Sequence, residues 1–210
     1  MKLHHRYCTP GFDNCYLLAN EQGEDASEAS ADAILIDPGS MDGGLLSTIE
    51  NNNYRLLAVL LTHDHKNHVR GIITLKKIYD IPIYAINPGV LGFKTNLVKD
   101  GDRLSIGSIT IDVLHVPGHS SDSAIYLIDN MLFSGDAITA GLIGSTISSY
   151  SAAIEMTSLQ SKIFSLPKNL DVFPGHGPPS SLEAAQRFNA GIAAFEEKRR
   201  FPQRHLQQSY

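Results

Sequence analysis

The sequence predicts a mixed α/β protein in which β-sheets pack together and helices cover their outer faces. Three observations carry that prediction. The segments run strands, helix, strand, helix, a series of strands, helix, strand, helix, an order suited to packed layers. Leu56 to Leu61 is uninterrupted apolar sequence, as in a strand buried on both faces. Two later stretches, Met156/Leu159/Ile163/Leu166 and Leu182/Ala185/Phe188/Ile192/Phe195, repeat apolar residues at helical spacing on one stripe only, so each needs a surface to cover. With 210 residues, 42% of them hydrophobic, the chain suits a single domain spanning 1–210.

In chain order, Leu3 to Cys8, Cys15 to Ala19 and Ala33 to Ile36 read as short strands closed by turn residues. Between the second and third lies Glu21 to Asp32, acidic, rich in small residues and without Lys or Arg, which reads as a solvated loop. A helix over Gly44 to Asn52 leads into the buried strand. A second helix runs from about His68 to Tyr79, with Val69, Ile72 and Ile73 on one face. Then come a strand at Pro82 to Ile86, a hairpin of Arg103 to Ile106 with Ile109 to Val116 about Gly107-Ser108, and another of Ala124 to Ile128 with Met131 to Phe133 about Asp129-Asn130. A Gly/Ser/Thr-rich loop, Thr139 to Ser149, precedes the Met156 helix, and Asp171 to Phe173 forms the last strand. The final helix starts at a capping box, Ser180 with Glu183, and stops at Pro202.

The net charge of −5 offers no electrostatic footprint for nucleic acid or an anionic membrane surface. The N-terminus lacks the apolar run of a signal peptide and no segment approaches a membrane span, so a cytoplasmic protein acting on a small molecule is expected, its oligomeric state left open. Cys8 and Cys15 flank a turn that brings them near one another; in a reducing compartment they are expected as free thiols.

The chemistry concentrates where the apolar strand ends, at Thr62-His63-Asp64-His65-Lys66-Asn67-His68. In extended backbone, residues i and i+2 share a side, so His63 and His65 can address one ion while Asp64 points away. The bend into the next helix brings His68 near them. On its own this stretch would also fit a histidine-rich surface loop. However, further apolar strands end in a polar residue framed by Gly or Pro: Ile36-Asp37-Pro38-Gly39, Val116-Pro117-Gly118-His119, Phe133-Ser134-Gly135-Asp136 and Phe173-Pro174-Gly175-His176-Gly177. Such strand ends would converge at one rim. His115 reads as a packed or surface histidine, and His4, His5 and His205 as solvated. Lys66 and Arg70, near the histidine loop, could meet an anionic substrate.

Through Thr-His-x-His-x-x-His, Pro-Gly-His, Ser-Gly-Asp and Pro-Gly-His-Gly in that order, the sequence resembles the metallo-β-lactamase superfamily. The resemblance implies a four-layer αββα sandwich with a metal site at one edge of two sheets. It implies that His63, His65 and His119 bind a first metal, that Asp136 bridges, and that His68 and His176 serve a second. Asp37 would support the ligand loops from behind. One position departs from the pattern: Asn67 stands where the family places a second-metal aspartate. An amide is a weaker ligand than a carboxylate, although Asn also serves as a helix N-cap, which is the plainer role for residue 67.

A metal with an open position makes hydroxide available near neutral pH, so hydrolysis is the default chemistry, with Asp136, His68 and His176 as the residues acting beside the metal. Zinc, one or two ions, is expected, with iron or manganese possible. Phe12-Asp13-Asn14-Cys15-Tyr16-Leu17, Asp37-Pro38-Gly39, Asp100-Gly101-Asp102 and Pro174-Gly175-His176-Gly177 are most similar to the glyoxalase II branch, which implies ester or thioester substrates. Ser145 and Ile147 stand where that branch places a basic residue and a tyrosine for glutathione, with Tyr150 nearby. The alternatives are a single-iron persulfide dioxygenase, to which loss of the second-site carboxylate corresponds, and a metal-binding protein without turnover.

Overall fold

The computed structural model describes residues 1–9, 11–21 and 30–200. Strands β1 (Lys2–Cys8), β2 (Asp13–Asn20) and β3 (Ala31–Ile36) lead to helix α1 (Gly43–Asn51) and β4 (Tyr54–Leu60). Helices α2 (Lys66–Val69) and α3 (Ile72–Ile78) follow, then β5 (Ile83–Ala85) and the two-residue strands β6 (Gly89–Val90), β7 (Phe93–Lys94) and β8 (Asn96–Leu97). The second half holds β9 (Arg103–Ile106), β10 (Ile109–His115), β11 (Ala124–Ile128), β12 (Met131–Gly135), β13 (Ile138–Thr139) and β14 (Leu142–Ile143). Helix α4 (Ser149–Ser158) with a π-helical turn at Leu159–Ile163, β15 (Asp171–Pro174), β16 (Ser180–Ser181), α5 (Leu182–Phe188) and α6 (Ala190–Arg200) complete it.

Six strands in the order β1-β2-β3-β4-β5-β8 form one sheet and six in the order β16-β15-β12-β11-β10-β9 the other. Alternation along the central strands explains why they face each other. Ile34, Ile36, Ala58 and Leu60 meet Ile109, Ile111, Val113, Tyr126 and Phe133 between the sheets. The opposite residues, Ala33, Leu35, Leu56 and Val59, meet Leu45 and Ile49 of α1 and Ile72 and Leu75 of α3. On the far side Leu132 and Val172 pack under Leu159, Ile163, Leu182 and Ala185. The result is the expected αββα arrangement, with Ala33 to Ile36 of β3 and Leu56 to Leu60 of β4 apolar throughout because both faces are covered. Among the described residues no helix is long and apolar enough to cross a membrane.

Several expectations need correction. The helix expected from His68 to Tyr79 is two, because Gly71 turns to donate its N–H to Pro38 O (2.9 Å) and leaves no room there for a side chain. Helix α2 starts at Lys66 with His65 in the cap position, so Asn67 lies inside it and is not its N-cap. The Thr139 to Ser149 loop contains the β13–β14 hairpin. Ser180 pairs with Val172 in β16, which hands the N-cap of α5 to Ser181, whose hydroxyl accepts from Ala184 N. The final stripe is broken at Asn189, whose extended backbone ends α5 and whose Oδ1 accepts from Gly191 and Ile192 N–H to start α6. Phe188 consequently faces solvent.

His4 and His5 are engaged instead of solvated: His4 Nε2 meets Tyr54 Oη at 2.8 Å, and His5 Nε2 meets Asn14 Oδ1 at 2.7 Å while its ring stacks on Tyr16. Asp32, at the end of the acidic stretch, is buried and accepts from Arg55. Residues 22–29 of that stretch, with His205 and Pro202, lie outside the described residues. Cys8 and Cys15 are both buried free thiols.

Candidate metal centre

The site forms where the two sheets end together. β3 ends at Asp37, held at φ +48°, and β4 runs beside it into the buried Thr62 and His63. Asp37 accepts from Thr62 N (2.8 Å) through Oδ1 and from Thr62 Oγ1 (2.5 Å) through Oδ2, and Oδ2 also receives His68 Nδ1–H at 3.2 Å. One carboxylate thus fixes both sides of the histidine loop. Asp122 steadies its tip by accepting from Asp64 N at 3.0 Å. From the other sheet, β12 and β15 run parallel, which places Gly135-Asp136 beside Pro174-Gly175-His176. Gly175 is required there, since a Cβ would overlap Oδ1 of Asp136 and the His68 ring.

Residue by residue, the histidines give their outer N–H to a fixed acceptor and turn the other nitrogen inward. Thr62 Oγ1 spends its proton on Asp37, so it accepts from His63 Nδ1 at 3.1 Å. His119 Nδ1 donates to Ser145 O (2.9 Å), His176 Nδ1 to Phe12 O (2.7 Å) and His68 Nδ1 to Asp37. The Nε2 atoms of His63, His119 and His176 therefore converge as acceptors, the tautomer a metal-ligating imidazole needs, and that of His68 faces the same space. His65 faces the same space through Nδ1, 3.0 Å from His63 Nε2 and 3.1 Å from His119 Nε2.

Two groups of donor atoms result, sharing Asp136: His63, His65, His119 and Asp136, and His68, Asp136 and His176. Within each, the donor atoms lie within 4.8 Å of one another. Asp136 Oδ2 stands 3.9 Å from His63, 3.6 Å from His119 and 3.5 Å from His176, and its Oδ1 stands 3.5 Å from His68 Nε2. His68 Nε2 and Asp136 Oδ1 are buried and have no hydrogen-bond partner, as expected of two groups that face a shared third atom. Buried, convergent lone pairs beside a carboxylate fit a divalent cation. Asn67 belongs to the second group, its Nδ2 donating to His176 Nε2 at 2.9 Å.

Electrostatics follow from this packing. Burial, reinforced by the neighbouring imidazoles, pushes His63 down to about 2 and also lowers His119, so both are neutral. Burial acts on His68 in the same direction, yet its contacts with Asp136 and Asp37 overcome it and raise it to about 10. Burial would raise Asp136, but His68 and the other imidazoles prevail and bring it down to about 2. Glu155, buried under the Gly118-His119 turn with neither oxygen bonded, is pushed up by burial to about 8.

His115 stands apart, bonded to Ser121 O, and the exposed Lys66 and half-buried Arg70 flank α2. Sequence patterns do not mark Asp122, Glu155 or the bracing of the His176 turn. In that turn Asn14 donates to Pro174 O and Gly177 O (2.9 and 2.7 Å) and Tyr16 Oη to Pro174 O (2.7 Å). Asn14 and Tyr16 lie in the Phe12 to Leu17 stretch that carries the family resemblance, whereas nothing local marks Asp122 or Glu155.

Comparison with known proteins agrees with this architecture. The family model "Metallo-beta-lactamase superfamily" matches residues 8–187. A probable metallo-hydrolase, YqgX of Bacillus subtilis, is 28% identical over 185 residues, covering 77% of this chain and 88% of its own. A hydroxyacylglutathione hydrolase of Yersinia enterocolitica is 33% identical over 132 residues, covering 61% of this chain and 49% of its own, so the chain matches about half of that enzyme. Among solved structures, the B3 metallo-beta-lactamase BLEG-1 superposes with a TM-score of 0.79 at 26% identity, covering 91% of this chain and 99% of its own. ETHE1 from Myxococcus xanthus gives 0.79 at 25% (97% and 92% covered), and TTHA1623 in a di-iron-bound form 0.73 at 27% (89% and 98%). The family model spans most of the chain and these folds superpose on its two packed sheets, and this chain belongs to the metallo-β-lactamase superfamily.

Proposed function

We propose that this protein is a metal-dependent hydrolase of small esters or thioesters, acting as one cytoplasmic domain. The observation that carries the reading is the inward convergence of four Nε2 atoms and Asp136, each ring held in place by its outer partner. His63, His65, His119 and Asp136 would hold one ion, and His68, His176 and Asp136 a second, with zinc the first candidate and iron or manganese alternatives. A divalent cation there supplies hydroxide near neutral pH and polarises an acyl carbonyl.

The chain's own groups divide the remaining work. Asp136 presents one oxygen to three imidazoles and the other to His68, which ties the two groups into one charge system. Asp37 orients from behind. His68 is fully buried and pinned between Asp37 and Asp136, so its part is to hold position and charge. With only the first ion bound, His176, whose side chain is 33% exposed, would be the imidazole placed at the mouth to exchange a proton with a substrate.

Elemental analysis of protein purified without added metal, followed by thioester and lactone hydrolysis before and after chelation, tests the reading. Expected are one firmly held ion, a weaker second, and turnover lost with the metal; metal-loaded protein that cleaves nothing sinks it. The amide of Asn67 against His176 favours a second reading, a one-iron centre for persulfide oxygenation. Oxygen consumption with glutathione persulfide, without thioester turnover, would establish it.

A further inference from the structure

Two loops carry the outer partners of the histidines at the mouth, and both present apolar side chains to solvent. Phe12 gives its carbonyl to His176 while its ring is 68% exposed, an arrangement produced by a left-handed backbone at φ +56°. Such a conformation is costly for a non-glycine residue, and observed strain of this kind marks functional positions. The exposed ring of Tyr7 lies beside it, with centroids 6.5 Å apart. On the other loop Ser145 gives its carbonyl to His119 and Ile147 is 95% exposed, and Tyr150, in the first turn of α4, is 75% exposed. The loops are neighbours around the centre: Gly144 sits against the His119 side chain, and Gly177, next to His176, packs on Ala140.

From Thr139 to Tyr150 there is no charged residue. Exposed apolar side chains grouped at the mouth of a polar centre mark a binding surface, whereas scattered ones need no explanation. Lys66 begins α2 and Arg70 caps it, with the Arg70 guanidinium against Gly11 on the Phe12 side.

We infer that Phe12, Ile147 and Tyr150 form the walls of a cleft for an apolar, uncharged acyl chain, which makes acyl length the main determinant of substrate choice. The inference rests on the hydrolase reading only for calling the bound molecule a substrate. A chain lying between the walls replaces water on both sides, and each covered methylene is expected to tighten binding about two- to fourfold. An anionic tripeptide thiol finds no cation on the Thr139 to Tyr150 wall.

The test is calorimetric titration of the metal-loaded protein with straight-chain carboxylates from acetate to octanoate, beside KM and kcat for the matching thioesters and for hydroxyacylglutathione. Affinity should rise and KM fall with length, with kcat nearly constant. F12N, which tolerates the left-handed backbone, and I147N should each flatten the series by about 3- to 10-fold at octanoate, and I147N should leave metal content unchanged. A series independent of length, or one unchanged in both variants, overturns the cleft. If length-dependent binding persists and no ester is cleaved, the hydrolase reading falls and the cleft stands; if esters are cleaved without length dependence, the cleft falls and the hydrolase reading stands.

Discussion

The two donor groups share Asp136 yet are built differently. The first is made of His63 and His65 at the end of the buried strand β4 and His119 after β10, with inner nitrogens 3.0 and 3.1 Å apart and no carboxylate but the shared one needed. The second joins the fully buried His68 to the partly exposed His176 and places an amide, Asn67, between α2 and the mouth. An ion in the first group meets three imidazoles already aimed at it. An ion in the second must displace the Asn67 N–H from His176 and the second proton of His68, and finds one imidazole fewer. Position alone does not make a site strong; the count of free donor atoms does.

The shared residue gives the largest test. Asp136→Asn should empty both groups, with metal content falling below one ion per chain and hydrolysis dropping by about 100-fold or more, beyond what loss of an outer partner costs. Asp37 supports both groups through Thr62 and His68, so Asp37→Asn should weaken metal retention by roughly 10- to 100-fold, measured by competition with a chelator. Asn67→Asp should separate the groups: the second ion tightens by about tenfold or more while the first is unchanged, and equal occupancy before and after would abolish the contrast between them. Tyr16→Phe removes only the hydroxyl that braces Pro174, so stability should fall by about 1 kcal/mol and the His176 group alone should loosen.

Asp32, far from both groups, sets the baseline. Burial raises its pKa, but hydrogen bonds from Arg55 and Ser108 prevail and hold it below the ordinary 3.8. A lowered folded-state pKa gives stability that is complete above 3.8 and is lost as pH falls through the lower value. Asp32→Asn should therefore cost about 1 kcal/mol at pH 7, less if the exposed Arg55 is well solvated, and the gap to the native protein should close in denaturant melts below pH 3.8.

How much of the molecule is legible in its sequence follows from how local each feature is. His63 and His65 can be read because extended backbone in the loop after β4 ties i to i+2, and the central parts of β3 and β4 because burial on both faces leaves an uninterrupted apolar record. The order of strand-ending motifs then conveys the αββα layering. Asp122 and Glu155 are not legible, since each acts on a loop distant in sequence, and an Asp or Glu among serines or in a helix has no pattern to betray that. Asn67 reads as a cap only if the helix starts just after it; His65 turning early into α2 puts the amide against His176 instead. The stripe through Phe188 misleads because helical spacing continues in register across the break at Asn189, although an asparagine before a small, apolar segment is itself a start signal.

The bracing of the His176 turn bears on how the molecule comes to exist at all. Asn14 reaches Pro174 and Gly177, and Phe12 reaches His176, across 160, 163 and 164 residues of chain. Contacts of that span close the longest loops and are favoured only once most of the chain is already ordered. Each half-sheet can organise its own neighbours earlier, so the joint between β2 and β15 is expected late. An ion that needs His176 would then be taken up only after that joint closes, and the time course of ion uptake by a refolding chain would follow the docking of these two segments.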